Sequence, residues 1–178
     1  MCRLAVLLWA GALLAQSPKY GVGRAPTEDD IRQFDITVRP DGKGLPGGSG
    51  SVAEGKEIYT NRCLKCHGSV GQGRDSVPLA GGRGSISSDK PLKTVESYWP
   101  YATTVFDFVR RAMPFDRPGT LTANQVYAVT AYVLYLGKIV PENTVLDGPS
   151  LAKIRMPNRD GFVPDPRPDV GRGPGVKK

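Results

Sequence analysis

The chain has 178 residues and a formal charge of +7, from 24 Lys and Arg against 17 Asp and Glu. That length suits one compact unit with a modest core and long arms rather than two substantial domains. The positive charges are scattered through Gly- and Pro-rich segments, with no dense basic tract interleaved with aromatics, so nucleic-acid binding is not expected and the excess reads as a solvated surface that steers an acidic protein partner.

The chain opens with Met1-Cys2-Arg3 and then the apolar run 4–15. This run is too short to span a bilayer comfortably and matches the core of a secretory signal, so residues 1–15 read as a signal peptide, no stable membrane span is expected, and the expected location is periplasmic. Cleavage is expected after Ala15, with Ala15-Gln16-Ser17, just ahead of Pro18, as the alternative site and an uncleaved anchor as the remaining option. Either cut removes Cys2 and leaves no spare thiol.

Residues 16–50 mix Gly, Pro and charge, most densely over 40–50, which rules out a continuous helix or a central strand there. Ile31, Phe34, Ile36 and Val38 are apolar and partly alternating. An extended arm docked on the domain or on a partner is therefore expected, with a flexible leader as the alternative.

Ser51 is a plausible N-cap, with Glu54 in capping-box position, and Val52, Ile58 and Tyr59 supply apolar positions on a helix running toward Cys66. Gly55 and Tyr59 precede Cys63 by eight and four residues, so they share one face, where a glycine lets another helix approach closely.

That helix leads into Cys63-Leu64-Lys65-Cys66-His67, which holds both remaining cysteines and the chain's one histidine. The C-x-x-C-H run is the attachment signature of c-type haem: two thiols one helical turn apart reach two vinyl groups, and the next residue places an imidazole against the iron. A structural zinc site needs a second ligand pair that the chain lacks, and a thioredoxin-like dithiol belongs beside a β-α-β pattern. Cys63 and Cys66 are therefore the expected thioether positions and His67 the expected axial ligand of one haem c. Gly68, Gly71 and Gly73, followed by Pro78-Leu79-Ala80-Gly81-Gly82, suggest a loop along a haem edge. A carbonyl at or near Pro78 is expected to accept the second imidazole proton, with an ordinary loop proline as the alternative. Tyr59, Pro78 and Trp99 are expected in the haem environment.

Residues 93–96 read as a short helical turn ahead of Ser97-Tyr98-Trp99-Pro100. Residues 103–112 read as a helix with Val105, Phe106, Val109 and Ala112 on one stripe, ending at Met113-Pro114 because the residue before proline leaves the α region. Thr120 or Thr122 begins a last helix that stops at Gly137, its Val129 and Tyr132 facing Gly55 and Tyr59. The tail from 141 is again rich in Pro and Gly, with one turn around 151–154 and a basic end. Bis-histidine ligation is impossible with one histidine, so the candidates for a sulfur ligand are Met113, between two helices, and Met156, in the tail; Met113 is preferred and an open face is the remaining option.

In this order, Gly55, Tyr59, the Cys63-to-His67 run, Pro78, Met113 and Val129/Tyr132 resemble a class I cytochrome c. The resemblance implies an all-α fold of three to four helices around one covalent haem, with His and Met ligands. Tyr20-Gly21-Val22-Gly23-Arg24, Val38-Arg39-Pro40-Asp41-Gly42-Lys43-Gly44-Leu45-Pro46, Tyr98-Trp99-Pro100-Tyr101-Ala102, Arg111-Ala112-Met113-Pro114-Phe115 and Met156-Pro157-Asn158-Arg159-Asp160-Gly161-Phe162 are together similar to the cytochrome subunits of periplasmic sulfane and sulfite dehydrogenases, the SoxD-like chains. The division this implies is a signal at 1–15, an arm at 16–50, a cytochrome domain at 51–140 and a C-terminal arm with basic tail at 141–178. It also implies a non-catalytic subunit that takes electrons from a molybdenum-containing partner, which its arms grip, and passes them to a soluble cytochrome c. A freely diffusing carrier is the alternative, and a haem enzyme or sensor with an open distal site the third reading.

Overall fold

The computed structural model describes residues 22–165 and residue 167. The expectations for the signal segment, for Tyr20 and Gly21, and for the basic end lie outside these residues. The chain divides into two units, with the boundary between Ile36 and Thr37.

In the first unit, α1 (Glu28–Phe34) is a helix where the Gly/Pro content led to an extended arm. The reason is local. Thr27 and Asp30 form a capping box, three acids occupy the first turn, and Arg32 lies in the last. Arg24 grips the Asp30 carboxylate through both terminal nitrogens, at 2.5 and 3.0 Å. That guanidinium, then the Thr27 backbone and hydroxyl, hold the Asp30 carboxyl far below the usual carboxylate range. No residue of α1 is buried.

In the second unit, four helices carry the site: α2 (Val52–Arg62), α3 (Leu64–His67), α4 (Ala102–Ala112) and α5 (Ala123–Leu136). A short α6 (Gly148–Ala152) lies in the tail. Both long-helix starts follow the sequence signals. Ser51 with Glu54 caps α2, Thr122 with Gln125 caps α5, and Gly137 is the C-cap of α5. The helical turn expected at 93–96 closes one residue later as a single turn, in which Tyr98 N–H donates to the Thr94 carbonyl at 3.0 Å while Thr94 and Ser97 each accept the other's backbone N–H through their hydroxyls.

The expected all-α architecture holds with one addition, an antiparallel ribbon of β1 (Ser49–Ser51) and β2 (Val145–Asp147) in which Gly50 faces Leu146. The ribbon joins the segments on either side of the helices. Residues 37–48 also lie on the helices: Val38 is buried and its N–H donates to Asp107 Oδ1 at 2.9 Å, while the Tyr127 hydroxyl donates to the Pro46 carbonyl at 2.8 Å.

The core is built where α2 crosses α5. A Cβ at Gly55 would lie 1.9 Å from the Ala128 carbonyl oxygen and 2.8 Å from the Tyr132 Cβ, so only glycine lets the two backbones meet. The α5 atoms nearest that point belong to Ala128 and Tyr132, and Val129 is buried in the same core. Tyr59 continues the seam against Tyr132, with ring centroids 5.1 Å apart. Phe106 of α4 packs on Tyr127 of α5 at 4.5 Å and is fully buried.

Candidate functional site

α3 is a single turn, and the chain enters it through Cys63. The N–H groups of Cys66 and His67 both donate to the Cys63 carbonyl, at 3.1 and 3.0 Å. This brings the two cysteines onto one turn as free thiols, Cys63 half-buried and Cys66 exposed, with His67 buried beside them. Burial, then the neighbouring Cys66, pushes the Cys63 thiol up to about 11. Cys63 is therefore no ready source of thiolate in this environment.

After His67 the chain folds back on itself. Gly73 N–H donates to the His67 carbonyl at 2.8 Å and Ser76 N–H to the Cys66 carbonyl at 3.0 Å. The returning loop brings the Val77 carbonyl to 3.0 Å from His67 Nδ1. A carbonyl only accepts, so the proton sits on Nδ1 and Nε2 keeps the lone pair that a metal requires. The acceptor is thus Val77, immediately before the expected Pro78, which is itself half-buried. A backbone carbonyl has no side-chain signature, so only its neighbourhood was legible in the sequence.

Tyr59 lies on the α2 face that leads to this turn and is 1% exposed. Its hydroxyl donates to the Gly68 carbonyl at 2.8 Å, tying α2 to the exit from α3. Burial, then Cys63 and Tyr132, push its ionisation upward, so it remains a neutral donor. Trp99 is half-buried and packs edge-on against Phe108 of α4, with centroids 5.7 Å apart.

Met113 and Met156 have different surroundings. Met113 caps the C-terminus of α4, half-buried, with its N–H still bonded to the Val109 carbonyl at 3.1 Å. Met156 is 1% exposed and belongs to the apolar core.

One feature carried no sequence signal. Arg83 donates to Glu96 at 2.9 Å and to the Gly137 carbonyl at 2.7 Å, and the other Glu96 oxygen accepts from Gly81 N–H at 2.6 Å. This brackets the loop after His67 to the end of α5. Among the described residues no cluster of three or more His, Cys, Asp or Glu side chains is placed to hold a metal ion, and no helix is long and apolar enough to cross a membrane.

The site can be set beside known proteins. A cytochrome c family model matches residues 52–137, from the start of α2 to the end of α5. A chain in the crystal structure of the sulfane dehydrogenase SoxCD from Paracoccus pantotrophus aligns with a TM-score of 0.77 and 38% identity, covering 90% of this chain and 86% of that one. The chain belongs to the class I c-type cytochromes. Within them this cytochrome resembles the SoxD-like subunit. It is also similar to two proteins named thiosulfate dehydrogenase. One, from Stutzerimonas stutzeri, is 28% identical over 112 residues; the other, from Psychrobacter arcticus, is 23% identical over 137 residues. The alignments cover 54% and 77% of the cytochrome, which spans only 34% and 38% of these relatives' lengths.

The cofactor of this cytochrome is a covalently attached haem c, and the local chemistry fits it: two free thiols on one turn, and beside them an imidazole whose Nε2 is left for iron. Bound there, the haem supplies reversible one-electron chemistry. The cytochrome is an electron-transfer protein.

Proposed function

We propose that this cytochrome is the monohaem electron-transfer subunit of a periplasmic sulfur-compound dehydrogenase. It receives single electrons from a molybdenum-containing partner that oxidises sulfane or sulfite sulfur, and it passes them to a soluble cytochrome c. Residues 1–15 direct export, 51–140 form the haem domain, and the flanks at 16–50 and 141–178 hold the partner. Cys63 and Cys66 carry the thioethers, His67 and Met113 are the axial ligands, and Tyr59, Pro78 and Trp99 surround the haem. Met156 is committed to the core, which supports Met113 as the sulfur ligand. This chain has no catalytic acid or base in the reading; bond-making belongs to the partner.

The observation that carries this reading is the reach of the similarity. The cytochrome c model stops at residues 52 and 137, whereas likeness to the SoxCD chain extends over 90% of this chain, into both flanks. A free carrier has no use for such flanks. The first unit adds support, because Ile31 and Phe34 are 46% and 81% exposed and line a groove of about 620 Å³ with Arg24, Pro26, Asp30 and Asp35. Apolar surface of that kind on a segment with no buried residue suits a partner's face.

The thiosulfate dehydrogenase relatives favour a second reading, in which the cytochrome itself oxidises thiosulfate at its haem. Both are tested by purifying the cytochrome from its native host under mild conditions. Recovery with a molybdenum protein, and sulfur-dependent haem reduction only in its presence, is the expected result. Reduction by thiosulfate with the isolated cytochrome supports the second reading, and a lone monomer that needs no partner overturns the first.

A further inference from the structure

Two stretches far apart in the chain close on each other. Asn158 Nδ2 donates to the Tyr98 carbonyl at 2.7 Å across 60 residues. The Arg159 guanidinium stacks over the Tyr101 ring at 3.9 Å, and Phe162 meets the Tyr98 ring edge-on at 5.2 Å. A backbone bridge pairs Arg155 with Tyr101. Met156, beside that bridge, is sunk into the core and pins the segment. The tail therefore holds both ends of Tyr98-Trp99-Pro100-Tyr101 by different forces: a hydrogen bond and a ring edge at one end, a cation over a ring and a backbone bridge at the other.

Between those ends lies Trp99, and it rests on Phe108, an α4 residue that is otherwise 46% exposed. A second restraint on α4 comes from the adjacent Asp107, which accepts from Val38 N–H and from Arg111, while Arg111 also donates to the Thr37 hydroxyl at 3.0 Å. α4 is thus held by two separate stretches of non-helical chain, 37–38 and Trp99. Met113 follows its last turn, so the sulfur is delivered wherever the helix is set.

We infer that residues 155–162 are a clasp in which Asn158, Arg159 and Phe162 are positioning residues: they hold Trp99 against Phe108 and so set the place of Met113 toward the haem iron. The inference rests on the reading of Met113 as an axial ligand. It gives the tail motif a task in tuning the electron carrier, separate from holding a partner.

The test uses the full-length haem-loaded cytochrome with the variants Asn158→Ala, Arg159→Gln and Phe162→Leu. The readouts are the sulfur-to-iron absorption band, the reduction potential, and the emission of Trp99, the only tryptophan outside residues 1–15. Each variant is expected to weaken the band, lower the potential and shift the emission, with Phe162→Tyr restoring all three. Arg159→Gln alters an exposed side chain and is expected to fold even where the other variants fold poorly. An unchanged band and potential in folded variants overturns the clasp, whether or not the emission moves. Met113→Ala is the separate control: a band that survives it overturns the ligand assignment itself.

Discussion

Helices α1 and α2 are started by the same local device, a capping box of Thr27 with Asp30 in one and Ser51 with Glu54 in the other. α2 then buries Val52, Gly55 and Tyr59, while α1 buries nothing. A capping box decides where a helix begins; it supplies none of the apolar burial that makes a helix part of a fold. α2 is fixed by its crossing with α5 and so presents the haem-binding turn rigidly. The apolar face of α1 carries no such duty, which is why it suits recognition.

The comparison breaks most severely at the crossing. Gly55→Val places new atoms in the Ala128 carbonyl, which lies 1.9 Å from where a Cβ would sit. Overpacking of backbone against backbone is expected to cost about 3 kcal/mol, read as a lower denaturant midpoint. An unchanged midpoint means that the helices do not meet at Gly55.

A matched pair of cap deletions sharpens the contrast. Ser51→Ala should lower global stability by about 1 kcal/mol, because α2 unfolds only with the core. Thr27→Ala should leave the global midpoint where it was while loosening the amides of α1 in hydrogen exchange. Equal effects on the global midpoint would erase the distinction between the two helices.

The smallest expected effect is a titration. The folded value for Asp30 is depressed, so its ionised form supports α1 fully above the ordinary aspartate value of 3.8, and that support is lost progressively as pH falls from there through the lower folded value. Carboxyl carbon shifts followed by NMR should show Asp30 still ionised below that ordinary value. A normal titration would mean that Arg24, Thr27 and Asp30 do not form their cluster.

Much of the haem domain was legible because its signals are local. Ser51 with Glu54, Thr122 and Gly137 mark helix ends through chemistry confined to one turn, and Cys63, Cys66 and His67 carry their chemistry in their spacing. The flanks were harder to read. The Thr27 and Asp30 signal was hidden by neighbouring Gly and Pro. The ribbon strands are three residues each, too short for an alternation to show. The Val77 and Tyr98 carbonyls are backbone acceptors, and nothing in a residue type announces which carbonyl will be used. That the Ala128 backbone lies against Gly55, beside Tyr132, is a matter of helix phase that residue type does not announce.

The return from His67 to Val77 has a further consequence. The imidazole is aimed by a partner only ten residues away. The nitrogen side of the iron site is therefore specified by one short, contiguous piece of chain. The sulfur side, with Met113 as the proposed ligand, depends on α4, which leans on segments 69 to 74 residues distant. Local closure costs little chain entropy and forms early; distant closure waits for the whole molecule. During maturation, a newly made chain can offer thiols and an aimed ring to the pigment long before its remaining coordination position has a reason to exist.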